Sequence, residues 1–187
     1  MRGGILEIQD AGALVVPFME TSENQRRKSV TALKTMMIAY SQYTHVLVSV
    51  KPPHSWDILS GPKLYELRKT LPSVCGAKGL MFWIYESSKK GEQAIIGRFI
   101  CGGWKYISQS YIGAQSLIEE VAEKACVPVT HVINYLPCYA IHVTNAVPIN
   151  PIPLSAIGLS RPPQSWQYLN DKQEYELRHA QTFPEAR

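Results

Sequence analysis

The feature that most constrains this chain is residues 45–68, where two short strands flank a helix set between a proline pair and a glycine. Residues 45–50 are rich in valine and predict a strand, which the prolines end because proline lacks the amide that a strand ladder needs. Pro53 suits the first position of a helix. Gly61 can adopt the left-handed conformation that ends a helix, and residues 64–68 predict the next strand.

Four charged residues of this stretch are candidate site residues: Lys51, Lys63, Glu66 and Arg68. Glu66 and Arg68 are two residues apart on a predicted strand, so their side chains share one face. An arginine beside a carboxylate lowers the carboxyl pKa by about 1–3 units. Glu66 would then stay ionised, and it could orient Lys63 or the amino group of a base.

Two kinds of role are open for these charges. Lys63 could supply a cation for a phosphate, or a base if burial lowered its pKa. Arg68 has a planar fork that suits bidentate contact with a phosphate or a base edge. The simpler alternative is an ion pair of Glu66 with Arg68 or Lys63 that only fixes the turn.

The remaining chain predicts an α+β protein, in which short strands and a few helices form a small mixed barrel. Residues 79–85 are apolar on both faces and predict a central strand. The other predicted elements are strands at 94–100 and 139–144, a bend or bulge at Gly102 and Gly103, helices at 116–124 and 128–135, a proline-rich edge strand and loop at 145–163, and a helical turn at 165–169.

These elements divide the chain into three segments. Residues 1–43 predict an extension with a hairpin at 5–16 and an amphipathic helix that starts near Ser22. Residues 44–170 predict the barrel, and residues 171–187 are a polar C-terminal tail that we expect to be mobile or loosely docked. The extension could mediate self-association into a homo-oligomer or bind another protein.

Composition narrows the classes of function. A net charge of +4 permits a nucleic-acid partner without requiring one. The four cysteines form no CxxC pair, which favours buried free thiols in a reducing compartment over a metal site. No apolar run is long enough to cross a bilayer. We therefore predict a cytoplasmic protein with no cofactor, no metal and no membrane partner.

Five segments resemble those of ASCH domains, the activating-signal-cointegrator homology domains of the PUA-like superfamily. The first, VLVSVKPPHSWDILSGPKLYELRK, is similar to the strand, helix and Lys-x-x-Glu-x-Arg that open the family. The others follow in order and are LMFWIYESS, AIIGRFICGGW, VPVTHVINYLPCYAIHVTNAVPINPIPLSAIG and RPPQSWQYL. The resemblance covers residues 44–170 and leaves the extension outside the minimal domain.

The resemblance implies a small PUA-like β-barrel whose cleft binds RNA, single-stranded nucleic acid or a modified nucleoside. Some bacterial members of the family hydrolyse N4-acetylcytidine, and some are linked to ribonuclease activity. In the amidohydrolase members a lysine and a threonine act together. Lys63 matches that lysine, but Glu66 stands where the threonine would be. An amidohydrolase or nuclease with Lys63 and Glu66 as catalytic residues is thus the alternative to a binding protein.

Further candidates lie at the predicted rim of the cleft. Aromatic faces stack on bases with little sequence preference, and Tyr85 and Trp166 are placed to do so at the rim, whereas Trp83 is more typical of a core. Gln164 and Ser165 follow a rigid proline pair that could present both polar groups to a ligand. Ser165 could equally serve as a helix cap.

Overall fold

The structure is a computed structural model, and it describes residues 27–28, 31, 42–73, 78–110 and 114–182. The hairpin predicted at residues 5–16 and nearly all of the helix predicted from Ser22 lie outside the described residues. The chain divides into two units, Met1–Tyr40 and Ser41–Arg187. The second unit contains all the candidate site residues and is the one described below.

From residue 42 onward, the described residues form six strands, four α-helices and a short 3-10 helix. The strands are β1 Tyr43–Val50, β2 Tyr65–Arg68, β3 Gly79–Glu86, β4 Ile95–Ile107, β5 Cys138–Ile152 and β6 Trp166–Tyr168. The helices are α1 His54–Ser60, α2 Ala114–Lys124, α3 Val129–Asn134 and α4 Asp171–Thr182, and the 3-10 helix is Leu154–Ile157. The strand–helix–glycine–strand order predicted for residues 45–68 is confirmed, with Gly61 in the left-handed conformation at φ 107°.

The six strands form one mixed sheet in the order β2-β5-β4-β3-β1-β6. β1 and β3 are parallel, and the other neighbouring strands are antiparallel. The sheet curls into a half-barrel with short helices around it, so the predicted α+β class is confirmed. β3 lies at the centre as predicted, between β1 and β4, and its residues from Leu80 to Glu86 are buried on both faces of the sheet.

Apolar side chains pack on both faces of this sheet. The inner cluster joins β1, β3 and β4 around Val48, Phe82 and Phe99, which are at most 1% exposed. The outer cluster packs α2 and α3 against the other face through Val121 and Val132. The two faces of the short strand β2 are therefore both buried, because one face meets the helices and the other faces the interior of the half-barrel.

The glycine pair in β4 makes the bulge that the sequence predicted. The pairing register between β4 and β5 shifts between Cys101 and Trp104, and Gly103 has φ 119°. A positive φ of this kind favours glycine because a Cβ would be strained there. The extra residue reverses the side-chain alternation of the strand beyond it.

The proline-rich second half of β5 lies at a sheet edge. Among the described residues β2 pairs with β5 only over Tyr139–His142, and the stretch that contains Pro148 and Pro151 pairs with β4 alone. A proline can occupy an edge because its missing amide faces outward. The predicted edge strand is confirmed, but it continues the strand at 139–144 without a break.

Two C-terminal predictions were wrong. Residues 165–169 were predicted as a helical turn, yet Trp166–Tyr168 pairs as an antiparallel strand with Val46–Val48 of β1. Residues 171–187 were predicted as a mobile or loosely docked tail without a helix, yet Asp171–Thr182 is a helix whose Leu177 is fully buried. In both cases long-range packing decided the conformation of a short polar or mixed segment.

Candidate functional site

Lys63, Glu66 and Arg68 converge into one buried group, which we call the charged cluster. The Arg68 Nη2 atom lies 2.7 Å from Glu66 Oε1, and Lys63 Nζ lies 3.7 Å from Glu66 Oε2. The three residues are 3%, 6% and 9% exposed. Two cations thus share one carboxylate in a poorly solvated space, and the cluster carries a net charge of +1 when all three groups are ionised.

Arg68 also joins the two edges of the curled sheet. It lies on edge strand β2, and its Nη2 donates to the backbone oxygen of Ser49 on β1 at 2.7 Å. Its Nη1 lies 3.5 Å from Ser165 Oγ, just before β6 at the opposite edge. Ser49 in turn donates to the backbone oxygen of Pro163 at 2.6 Å. The arginine therefore supports the closure of the half-barrel while its guanidinium remains part of the cluster.

Lys63 enters the cluster from the turn that follows α1. Its Nζ donates to the backbone oxygen of Ala125 at 2.5 Å, just beyond α2. Burial lowers the pKa of the Lys63 amino group, and the nearby Glu66 carboxylate opposes that shift. An ammonium group has three donors, so the hydrogen bond to Ala125 leaves capacity for a ligand oxygen.

His54, at the start of α1, is a neighbour that the sequence analysis did not identify. Burial and the positive charge of Lys63 lower its pKa, while Glu66 and Asp57 act in the opposite direction. Its Nδ1 lies 3.8 Å from Asp57 Oδ2, too far for a hydrogen bond. The only sequence signal was its position directly after the proline pair, in the same turn-and-helix unit as Lys63.

Two buried nitrogen atoms, one in the cluster and one beside it, make no hydrogen bond with the described residues. His54 Nδ1 and Arg68 Nε have no hydrogen-bond partner within the part of the chain that the structure describes. A buried polar atom without a partner costs free energy, about 1–3 kcal/mol. Such atoms in a native protein therefore indicate that a water molecule or a ligand supplies the partner.

The other candidate residues are placed differently. Lys51 is exposed at the end of β1, and among the described residues its side chain makes no hydrogen bond or ion pair with the cluster. Tyr85 was expected at the rim, but it is 6% exposed, because it lies on the central strand β3. Gln164 is exposed, and Ser165 is half-buried beside Arg68. Trp166 is half-buried and donates to Thr70, so its indole edge is engaged within the fold.

A groove on the protein surface is lined in part by Lys63 of the charged cluster. It has a volume of about 250 Å³ and is formed by the end of α1, the following turn and the middle of β5. Its lining includes Lys63, Leu64 and Asn145. The groove reaches Lys63, whereas Glu66 and Arg68 are not among the residues that line it.

The cysteine, histidine and acidic residues that the structure describes are not grouped as metal ligands would be. Within the described ranges no group of three or more histidine, cysteine, aspartate or glutamate residues is close enough to hold a metal ion. Cys138 is buried and Cys101 half-buried, but Cys126 is exposed, which corrects the expectation that the thiols are buried. In the same residues no helix has both the length and the apolar character needed to span a membrane.

Proteins of known structure share this fold. The chain matches the crystal structure of the ASCH protein from Zymomonas mobilis with a TM-score of 0.61 and 21% identity, covering 73% of this chain and 94% of that one. Two structures of point mutants of that protein match with the same TM-score at 19% and 20% identity. No protein-family model and no curated protein matches the sequence.

The chain therefore has an ASCH-type, PUA-like fold. The resemblance that the five sequence segments indicated is confirmed at the level of the fold. The charged cluster belongs to the part of the chain where that resemblance begins, the strand, helix and turn that lead into β2.

Proposed function

We propose that this protein binds RNA and holds one nucleotide or modified nucleoside at the charged cluster. The observation that carries this proposal is the burial of Lys63, Glu66 and Arg68 together, with no acceptor for Arg68 Nε among the residues that the structure describes. A buried group with one excess positive charge and an unpaired donor is complementary to a ligand that is anionic or rich in acceptors.

The chemistry of a nucleotide fits these groups. Arg68 can donate from Nε to a phosphate or carbonyl oxygen, while the oxygens of the Glu66 side chain can accept a hydrogen bond from an exocyclic amino group. Lys63 can donate to a second oxygen of the same ligand. His54 would complete the site, because its Nδ1 lacks a partner in the described structure and its lowered pKa favours the neutral ring.

Binding to a labelled single-stranded RNA, measured at several salt concentrations, tests the proposal. Counterion release predicts that the logarithm of the association constant falls linearly with the logarithm of salt, by about 0.7 per phosphate contact for single strands. Replacing Lys63 with methionine removes a hydrogen bond from a charged donor, and we expect about 10- to 100-fold weaker binding.

The matched control is Lys172→Met, which removes the same charge from an exposed position on α4. It should change the affinity little. Absent or salt-independent binding by the wild type would contradict the proposal, as would equal losses in the two variants. Circular dichroism of Lys63→Met should show the wild-type spectrum, which separates lost binding from lost folding.

A second candidate function is hydrolysis of an acylated nucleoside, with Lys63 and Glu66 as the reacting groups. It is favoured by the lowered pKa of Lys63, since burial increases the fraction of neutral amine that can act as a base. Turnover of N4-acetylcytidine by the wild type, and its loss in Lys63→Met, would support this function. No turnover, or equal turnover in both proteins, would reject it and leave the binding proposal intact.

A further inference from the structure

The sheet face that carries Glu66 and Arg68 continues across two neighbouring strands to a pair of exposed aromatic residues. Residues directly opposite one another in a sheet share a face. β2 pairs with β5, and β5 pairs with β4, so the register defines two rows of side chains. From β2 to β4, the rows are Glu66–Ile141–Trp104 and Arg68–Tyr139–Tyr106.

The bulge in β4 is the reason that the aromatic residues lie on this face. Upstream of it, Phe99 and Cys101 pack into the inner cluster. If the side chains simply alternated beyond Cys101, Lys105 and not Trp104 would lie on the same face of the sheet as Cys101. The bulge reverses the alternation, so Lys105 instead reaches Glu120 of α2 on the outer face, 2.8 Å away. Trp104 is thereby turned toward the face of the charged cluster.

This aromatic surface is substantially open. Trp104 is 54% exposed and Tyr106 is 47% exposed. The rings of Tyr106 and Tyr139 are 5.1 Å apart, so they support each other at one end of the surface. A tryptophan and a tyrosine that lie close together on one sheet face and are both about half exposed are typical of a surface that binds a partner.

The geometry points to a stacking platform for single-stranded RNA, formed by Trp104, Tyr106 and Tyr139, for the base next to the nucleotide at the charged cluster. This inference rests on the proposed function. Two strand spacings, about 10 Å, separate the backbone of β2 from that of β4. A flexible single strand can therefore place one nucleotide at the cluster and lay a neighbouring base on the aromatic rings.

The positive charge of the cluster and the exposed aromatic rings together favour single-stranded RNA as the ligand. Lys63 and Arg68 outweigh Glu66, so the charged end of the face attracts a polyanion. The aromatic end offers flat rings, and each base stacked on such a ring contributes to binding with little dependence on sequence. A phosphate backbone near the cations and a base on the rings would satisfy both ends at once.

The experiment compares two ligands and four variants of the full chain, Lys63→Met, Trp104→Ala, Trp104→Phe and Tyr175→Ala. A short mixed-sequence RNA oligomer spans the cluster and the platform, whereas a nucleoside 5′-monophosphate reaches only the cluster. Trp104→Ala should weaken binding of the oligomer by about 5- to 150-fold, the range for one stacked base, and leave the monophosphate unaffected. Trp104→Phe should restore most of the oligomer affinity. The matched control is Tyr175→Ala, an aromatic residue on α4 that is 49% exposed, and it should bind both ligands as the wild type does.

The outcomes separate this inference from the function on which it rests. If Lys63→Met weakens the binding of both ligands while Trp104→Ala weakens the binding of neither, the proposed nucleotide site is supported and the proposed platform is wrong. If Trp104→Ala lowers the affinity for the oligomer and for the monophosphate equally, a separate platform is also ruled out. The same holds if Tyr175→Ala lowers the oligomer affinity as much as Trp104→Ala does. If the wild type binds neither ligand, both proposals fall.

Discussion

Lys63 shows how a single residue can serve both the fold and a site. Its ammonium group binds the Ala125 backbone, which fixes the end of α2 to the turn after α1. It also faces Glu66 at 3.7 Å, a distance that gives attraction without a hydrogen bond. Because burial disfavours the charged form, the residue carries a free-energy cost that a bound anion would offset.

This cost predicts a pH dependence of stability. The pKa of Lys63 in the folded protein is lowered from 10.5, so between the folded value and 10.5 the unfolded chain binds more protons. Stability should therefore rise with pH through that window. We expect the free energy of unfolding of the wild type, measured by urea titration, to rise relative to that of Lys63→Met as the pH approaches 10.5. Parallel pH profiles of the two proteins would contradict this prediction.

At the scale of the elements, one surface carboxylate connects helix α2 to strand β4. Glu120 on α2 accepts hydrogen bonds from Lys105 of β4 at 2.8 Å and from Lys124 of its own helix at 2.7 Å. These two donors lower the pKa of Glu120 to about 2. The ammonium groups also lie 5.6 and 5.7 Å from the centre of the Tyr65 ring, so the network covers an aromatic residue of the outer cluster.

Removing the Glu120 carboxylate should destabilise the protein only at pH values at which this carboxylate is ionised. Because the folded pKa lies below the ordinary 4.5, the stabilisation is present above 4.5 and is lost as the pH falls toward about 2. The side chains are partly exposed, so we expect Glu120→Gln to cost no more than about 1 kcal/mol at neutral pH. Urea unfolding at pH 7 and near pH 2 measures the difference. Glu123→Gln on the same helix is the control, and a loss of equal size there would refute the role of the network.

Helix α4 illustrates a local signal that could have been found in the sequence. Asn170 Oδ1 accepts from the Gln173 amide at 2.9 Å, and Gln173 Oε1 accepts from the Asn170 amide at 3.0 Å. This reciprocal pair is a capping box formed by asparagine and glutamine. The polar composition of the segment concealed it, because the helix buries little more than Leu177.

At the scale of the whole Ser41–Arg187 unit, side chains connect parts of the sheet that no strand pairing joins. Arg68 links β2 to β1, and Trp166 and Tyr168 of β6 donate to Thr70 and Ser73 in the segment after β2. These contacts cross the open side of the half-barrel. The candidate site lies on this seam, so the proposed binding would use groups that also close the sheet.

Helix α4 is a second long-range component of that unit. Leu177 is fully buried, and Glu174 lies 3.3 Å from His45 Nε2 on β1. We expect Leu177→Ala to lower the free energy of unfolding by about 2–5 kcal/mol, since it leaves a cavity in place of packed atoms. Urea unfolding measures this loss, with the exposed Lys172→Ala as the control. A change below about 0.5 kcal/mol in Leu177→Ala would mean that the helix is not docked.

The sequence by itself determined the local features of this protein. The proline pair and Gly61 defined the limits of α1, the glycine pair defined the bulge, and the two-residue spacing placed Glu66 and Arg68 on one face. These features depend on backbone conformations that a few neighbouring residues fix, so a short stretch of sequence is sufficient to predict them.

Only the tertiary structure decided which of these features meet. Arg68 contacts Ser165 across 97 positions of the chain, and Lys63 contacts Ala125 across 62. The same long-range packing turned residues 166–168 into a strand, buried Tyr85 and brought His54 beside Lys63. Contacts of this kind depend on how the whole sheet curls and which surfaces it buries, and no local pattern of residues specifies that.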